Sequence, residues 1–297
     1  MTCSDIFVCY LQTNRGYFPA IEFDMMIDDP DFLFTKWYLD CVTENGDTFL
    51  GYSSSLRWGK IHLHFASTLL FQAERATQRI RMTRRETAPA DSPEGLVWDC
   101  RPLGVKGVWR CRSIPIAQIL LSSDAGEIHW VCVQPGSNVE LHVANKLHFS
   151  GLGYVERLEM TIKPWQLPIA QLRWGRYISD KDEIVWIEWQ GKKPRVNVFH
   201  NSVAASDVHV SDDEIVFGDG LRLELTCKQI LREGRVGPTL LSGLPLLAKT
   251  LPLKMLRTYE CKWRSRGVFR SGSNILNQGW VIHEVVRFDE NPVSEKA

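Results

Sequence analysis

The sequence predicts an all-β protein built as two consecutive antiparallel β-barrels, or barrel-like sandwiches, with few short helices. Three observations carry this. Apolar and polar residues alternate with period two through most of the 297 residues, the pattern of strands with one face buried. Turn signals recur every ten or so residues, the spacing of short paired strands. An aromatic pattern also repeats: Trp37 and Trp174, Phe49 and Trp186, Leu50 and Ile187, and Tyr52 and Trp189 each lie 137 positions apart (174 − 37 = 137). In both copies an aromatic run leads into an acidic turn and a second aromatic run follows, as in a repeated meander. No linker marks a boundary, so the repeat sets the division, giving domains of 1–150 and 151–297.

Taken in chain order, Thr43-Glu44-Asn45-Gly46-Asp47 reads as a hairpin turn, because Asn-Gly supplies the positive φ that tight turns need. Ile61-His62-Leu63-His64-Phe65 alternates as a strand. Gln72 to Arg85 is readable as a short helix or as a twisted strand pair, since its apolar positions are sparse. Glu86 to Gly95 reads as a loop. Asp124-Ala125-Gly126 and Pro135-Gly136-Ser137 read as turns. Val185 to Trp189 and Arg195 to Phe199 are strands, separated by Gly191-Lys192-Lys193-Pro194. Val208 to Val210 and Leu221 to Leu225 alternate on either side of Gly218-Asp219-Gly220. Pro238 to Leu256 is apolar, but Pro245 and Pro252 limit it to one or two short helices or an apolar loop. Gly279 to Phe288 is the last strand, and Asn291 to Ala297 reads as a frayed tail.

Composition narrows the function. Lys+Arg 35 balances Asp+Glu 35, which argues against nucleic acid or an anionic membrane as the main partner. The arginines between Arg75 and Arg85 read as a solvated edge. No apolar run is long enough to span a membrane, and no secretory leader is visible. The eight cysteines include no C-x-x-C pair, which fits reduced thiols in a cytoplasmic protein. Nucleotide-binding glycine loops, the G-x-S-x-G elbow and H-E-x-x-H are missing. His62-x-His64 puts two imidazoles on one face, but no third ligand accompanies them, so no metal is expected.

The chemistry that remains is that of carboxyls among aromatic residues. In Gly151-Leu152-Gly153-Tyr154-Val155-Glu156, residues two apart share a face. Tyr154 and Glu156 therefore stand together beside Leu152 and Leu158. A carboxyl in such apolar company is desolvated, which favours its neutral, proton-donating form. A surface ion pair with Arg157 or Arg176 is the competing reading. His283 and Glu284 are adjacent in an apolar strand, so they point to opposite faces and cannot act on one atom together. Leu172-Arg173-Trp174-Gly175-Arg176 and Leu56-Arg57-Trp58-Gly59-Lys60 share one form, in which aromatics line a pocket or take a stacked arginine.

At these residues the chain resembles the lipocalin-like superfamily that includes hydroxyneurosporene synthase (a carotenoid 1,2-hydratase) and, more distantly, tocopherol cyclase. Lys36-Trp37-Tyr38-Leu39-Asp40 is similar to that superfamily's E-W-W-Y or G-W-Y start. Gly151-x-Gly153-Tyr154-x-Glu156 resembles its G-x-G-Y-x-D motif, and Gly279 to Glu284 resembles its closing strand. The sequence departs from the pattern at Lys36, in having Glu rather than Asp at 156, and at Arg157-Leu158-Glu159-Met160. The resemblance implies two lipocalin-like domains and an apolar cavity for an isoprenoid- or polyketide-like molecule. It also implies protonation of a double bond followed by hydration or cyclisation, with no cofactor. Glu156 with Tyr154 would be catalytic. Trp37, Tyr38, Trp174, Arg176, Trp186, Trp280, His283 and Glu284 would line the ligand site of a monomer or homodimer. A non-catalytic carrier of a lipophilic molecule is the alternative, and a β-scaffold with filled interiors is a third.

Overall fold

The computed structural model describes residues 9–10, 19–20, 30–75, 77–85, 87–144, 146–235 and 257–288. The stretches Pro238 to Leu256 and Asn291 to Ala297 lie outside the described residues. Two-residue strands β1 (Cys9–Tyr10) and β2 (Pro19–Ala20) pair with each other. All other strands belong to two large antiparallel sheets that follow one another along the chain.

The first sheet holds β3 (Phe32–Thr43), β4 (Thr48–Trp58), β5 (Ile61–Gln72), β6 (Thr77–Thr83), β7 (Ala90–Ser92), β8 (Gly95–Cys100), β9 (Val105–Cys111), β10 (Ile116–Ser123), β11 (Gly126–Val143) and β12 (Leu147–Met160). Their spatial order is 6-5-4-3-12-11-9-8-7, with β10 also on β11. The second holds β13 (Ile169–Ile178), β14 (Glu183–Gly191), β15 (Arg195–His200), β16 (Val203–Ala205), β17 (Val208–Val210), β18 (Glu214–Phe217), β19 (Leu221–Arg235), β20 (Tyr259–Ser271) and β21 (Asn274–Arg287). Their order is 16-15-14-13-21-20-19-18-17. The two orders match strand for strand, so the sequence echo reflects a repeated topology. Short 3-10 turns occur at Arg101–Leu103 and Pro164–Gln166.

Each sheet curls around its own core. In the first barrel, Phe49, Trp98, Trp109, Leu141 and Val155 pack together. Arg81 on β6 donates to the Leu103 carbonyl at 2.8 Å, tying one end of the sheet back towards β8 and β9. In the second, Tyr177, Trp186, Leu223, Phe269 and Val281 form the core, and His200 on β15 meets Phe217 on β18 with ring centres 6.1 Å apart. A third apolar cluster draws on both sheets: Tyr38, Tyr52, Trp130 and Tyr154 from the first, Trp174, Ile187 and Ile282 from the second. It is the interface between the barrels.

Several expectations change. β12 pairs with β3 and β11 inside the first sheet, so a division after residue 150 falls within a strand; the sheets change over between Met160 and Ile169. Pro135-Gly136-Ser137 is not a turn. It is a bulged stretch of the 18-residue β11, where register shifts on both sides of Gln134 absorb the proline. Gln72 to Arg85 contains a strand rather than a helix, and the Glu86 to Gly95 stretch contributes β7. No helix of the described residues is long and apolar enough to cross a membrane.

The hairpin turns also correct the repeat. Val42 pairs with Thr48 around five residues, but Ile178 pairs with Glu183 around four. A one-residue difference inverts the faces of a strand. Phe49 and Trp186 therefore both face barrel cores, and Tyr52 and Trp189 both face the interface, whereas Trp37 packs towards the first barrel core and Trp174 into the interface.

Candidate functional site

The polar residues worth considering gather where β3 and β12 of the first barrel face β13, β20 and β21 of the second. On the facing side of β12 stand Tyr154 and Glu156, with Gly151 and Gly153 on the other side. An added Cβ at Gly153 would lie 2.1 Å from the Asp40 carbonyl oxygen and 2.5 Å from Val139 Cγ2. Only glycine lets β12 lie this close to β3. Across the ladder Glu156 is opposite Tyr38, and Tyr154 is opposite Asp40.

Glu156 is 5% exposed. Its Oε2 accepts from Trp130 Nε1 at 2.7 Å, the Tyr154 hydroxyl at 2.9 Å and Trp174 Nε1 at 3.0 Å. Trp174 comes from β13, so the two barrels share this carboxyl. Oε1 lies 3.9 Å from Lys36 Nζ, whose side chain is partly exposed. Burial, then the nearby Cys132 and Glu156, raises the Tyr154 phenol well above its ordinary range, so it remains a donor.

Beside this group a second carboxylate crosses the interface. Asp40 is completely buried. It accepts from Arg176 Nη2 at 2.7 Å and Arg176 Nε at 3.0 Å, and from the Tyr38 hydroxyl at 2.9 Å. Arg176 Nη1 donates to the Trp280 carbonyl at 2.9 Å. This forked pair satisfies both charges, as burial demands. Burial, and then Asp40, raises the Tyr38 phenol.

A buried ammonium completes the centre. Lys262 is 2% exposed; its Nζ lies 2.5 Å from Glu284 Oε2. It sits 4.9 Å from the ring centre of Tyr38, 5.0 Å from Trp174 and 5.8 Å from Tyr52. Burial opposes its charge, but Glu284, Tyr52 and Glu260 hold it above the usual lysine range. In the same way Lys262 and Lys36 outweigh burial and keep Glu284 below its ordinary range. The rings of Tyr38 and Trp174 meet edge to face at 5.1 Å, and those of Tyr154 and Trp174 at 5.6 Å.

The structure thus brings together Tyr154, Glu156, Tyr38, Trp174, Arg176, Trp280 and Glu284. It does not bring Trp37, Trp186 or His283 to them. Trp37 lies on the opposite face of β3 under the Arg157 guanidinium. Trp186 fills the second barrel core against Gly175. His283 faces away from Glu284, shares a 2.8 Å hydrogen bond with Ser265 and stacks on Trp263; burial, with Lys228 next, pushes its pKa down to about 3. The apolar cavity that the resemblance implies, with Glu156 facing it, is not inside either barrel: Glu156 lies between the barrels, and each barrel interior is packed with its own side chains. Sequence reasoning missed Asp40, Lys262, and the ion pair of Glu260 with Arg232, whose guanidinium lies over the Tyr52 ring. A lone acid between Leu39 and Cys41 was the one available signal for Asp40.

No protein-family profile matches the chain, and no curated protein matches it in sequence. Solved structures do. CghA with Sch210972 is 12% identical over 86% of this chain and 89% of its own, with a TM-score of 0.54. CghA alone is 11% identical over 86% and 88%, with a TM-score of 0.52. Kievitone hydratase from Nectria haematococca is 9% identical over 87% and 89%, with a TM-score of 0.48. The likeness to CghA, together with the two sheets described above, shows that this chain has a fold of two lipocalin-like barrels.

Proposed function

We propose that this protein is a cofactor-independent enzyme of the hydratase or cyclase type acting on an apolar isoprenoid- or polyketide-like molecule, with Glu156 as the proton-transfer group. The observation that carries this reading is the geometry of Glu156. Its carboxyl is buried in an aromatic wall, one oxygen is fixed by three donors, and the other faces the partly exposed Lys36 side. A carboxyl held this way is oriented to pass a proton to a bound double bond and to take one back from water or from the cyclised product. Tyr154 and Trp174 orient it, and Tyr38 and Trp280 extend the wall. That CghA was solved with the compound Sch210972 supports ligand binding by a protein of this fold. Cys41, Cys100, Cys111, Cys132, Cys227 and Cys261 are free thiols, which supports a cytoplasmic protein; we take it as a monomer or homodimer.

A non-catalytic carrier is the second reading. It is favoured by the three protein donors that engage Glu156 Oε2. Glu156→Gln separates the two. Native mass spectrometry of the protein from its source identifies the retained lipophile, and incubation with that lipophile reads hydration as the gain of one water and cyclisation as an isomer. The enzyme reading expects Glu156→Gln to lose roughly 100-fold or more in turnover while still binding the lipophile. Undiminished turnover in the variant, or no conversion by the wild type, rejects Glu156 as the acid.

A further inference from the structure

Along the facing side of β20 stand Glu260, Lys262, Arg264 and Arg266, a stripe of charge running through the interface. The inner members have partners: Glu260 pairs with Arg232, and Lys262 with Glu284. The outer two have no carboxylate at salt-bridge distance among the described residues. Arg264 lies between aromatic rings, its guanidinium carbon 5.0 Å from the Phe71 centre and 4.7 Å from Trp280. Its Nη1 donates to the Gly46 carbonyl, but its buried Nε has no partner. Arg266 stacks on the same Trp280 at 3.8 Å. Burial and the Arg266 charge both work against the Arg264 cation, and Asp47 only partly offsets them.

Arg266 lines an open surface depression with Thr43, Glu44, Asn45 and Ser150. The neutral hydroxyls there are already engaged: Thr43 donates to Asn45 and Ser150 to Glu140. Glu44 is the one acidic side chain of the lining. The one cation of the lining is Arg266, with Arg264 next on the stripe. From Arg266 the stripe leads four residues, roughly 13 Å, past Trp280 to Lys262 under Tyr38 and Trp174.

We infer that the depression at Arg266 is the acid-recognising end of the interfacial site, and that the ligand is an apolar molecule bearing a carboxylate. Arg264 and Arg266 hold the carboxylate, and the chain lies along Trp280 towards Trp174. This rests on the reading that the interface binds a lipophile, but not on Glu156 being an acid.

Tryptophan fluorescence titrations with decanoate, decan-1-ol, decyltrimethylammonium and inorganic phosphate test it. Decanoate is expected to bind at least tenfold more tightly than decan-1-ol, and decyltrimethylammonium not to compete. Arg266→Gln, at an exposed position where folding is not at stake, is expected to remove most of that preference while leaving decan-1-ol binding unchanged. Arg264→Gln is expected to do the same. The inference is overturned if the alcohol or the ammonium binds as tightly as decanoate, if Arg266→Gln keeps the preference, or if none of the probes binds. Phosphate binding as tightly as decanoate overturns the apolar part. Glu156→Gln is expected to bind decanoate like the wild type, so a failure of the acid chemistry and a failure of the carboxylate site are read separately.

Discussion

Asp40 and Arg176 are the residues on which the interface has least tolerance. Neither charge has access to water, and each satisfies the other. Asp40→Asn leaves the guanidinium buried beside a neutral amide, and urea unfolding should show a loss of about 3–5 kcal/mol. The double replacement Asp40→Leu with Arg176→Met should recover most of that, because it removes both desolvation costs. His283 gives a pH test. Its folded pKa of about 3 lies below the ordinary 6.5, so the unfolded chain binds the proton first as the pH falls. Above 6.5 both states are neutral and stability is at its full value. Between 6.5 and 3 stability should fall by up to about 1.4 kcal/mol per pH unit. Denaturation midpoints from pH 7 to 4.5 should show that slope, and His283→Gln should flatten it.

At the scale of elements, the contact of β12 with β3 sets the position of Glu156. Gly153→Ala places a methyl against the Asp40 carbonyl, which backbone can relieve only by moving. A loss of roughly 1–3 kcal/mol in thermal unfolding is expected. Period-two alternation made β5, β14, β15 and β21 legible, and it correctly put Tyr154 beside Glu156. It could not say which face was which. In β20 the run Glu260-Cys261-Lys262-Trp263-Arg264 has the alternation of a solvated strand, yet the charged face meets the other barrel. Asp40 and Arg176 are 136 residues apart, and no local pattern couples them. The 18-residue β11 was hidden because Pro135-Gly136 is the signature of a turn, and only a ladder on both sides turns it into a bulge.

Across the whole molecule, the barrels are joined by apolar packing that surrounds paired charges, and neither face of that contact suits exposure to water. The barrels should therefore melt together. Calorimetry of the wild type should give one transition whose calorimetric and van't Hoff enthalpies agree. Trp174→Ala removes an indole donor from Glu156 and a ring from Lys262, and should lower the melting temperature through a loss of about 3–5 kcal/mol. It should also separate the transition into two. Two transitions in the wild type would mean that each barrel stands without the other.

The unequal hairpins after β3 and β13 have a last consequence. Removing a single position from a bend is the smallest edit that turns an inward indole outward while keeping its spelling. Trp37 packs against a barrel core while its counterpart Trp174 meets the other barrel, so at this place the two halves differ by a length and not by a letter.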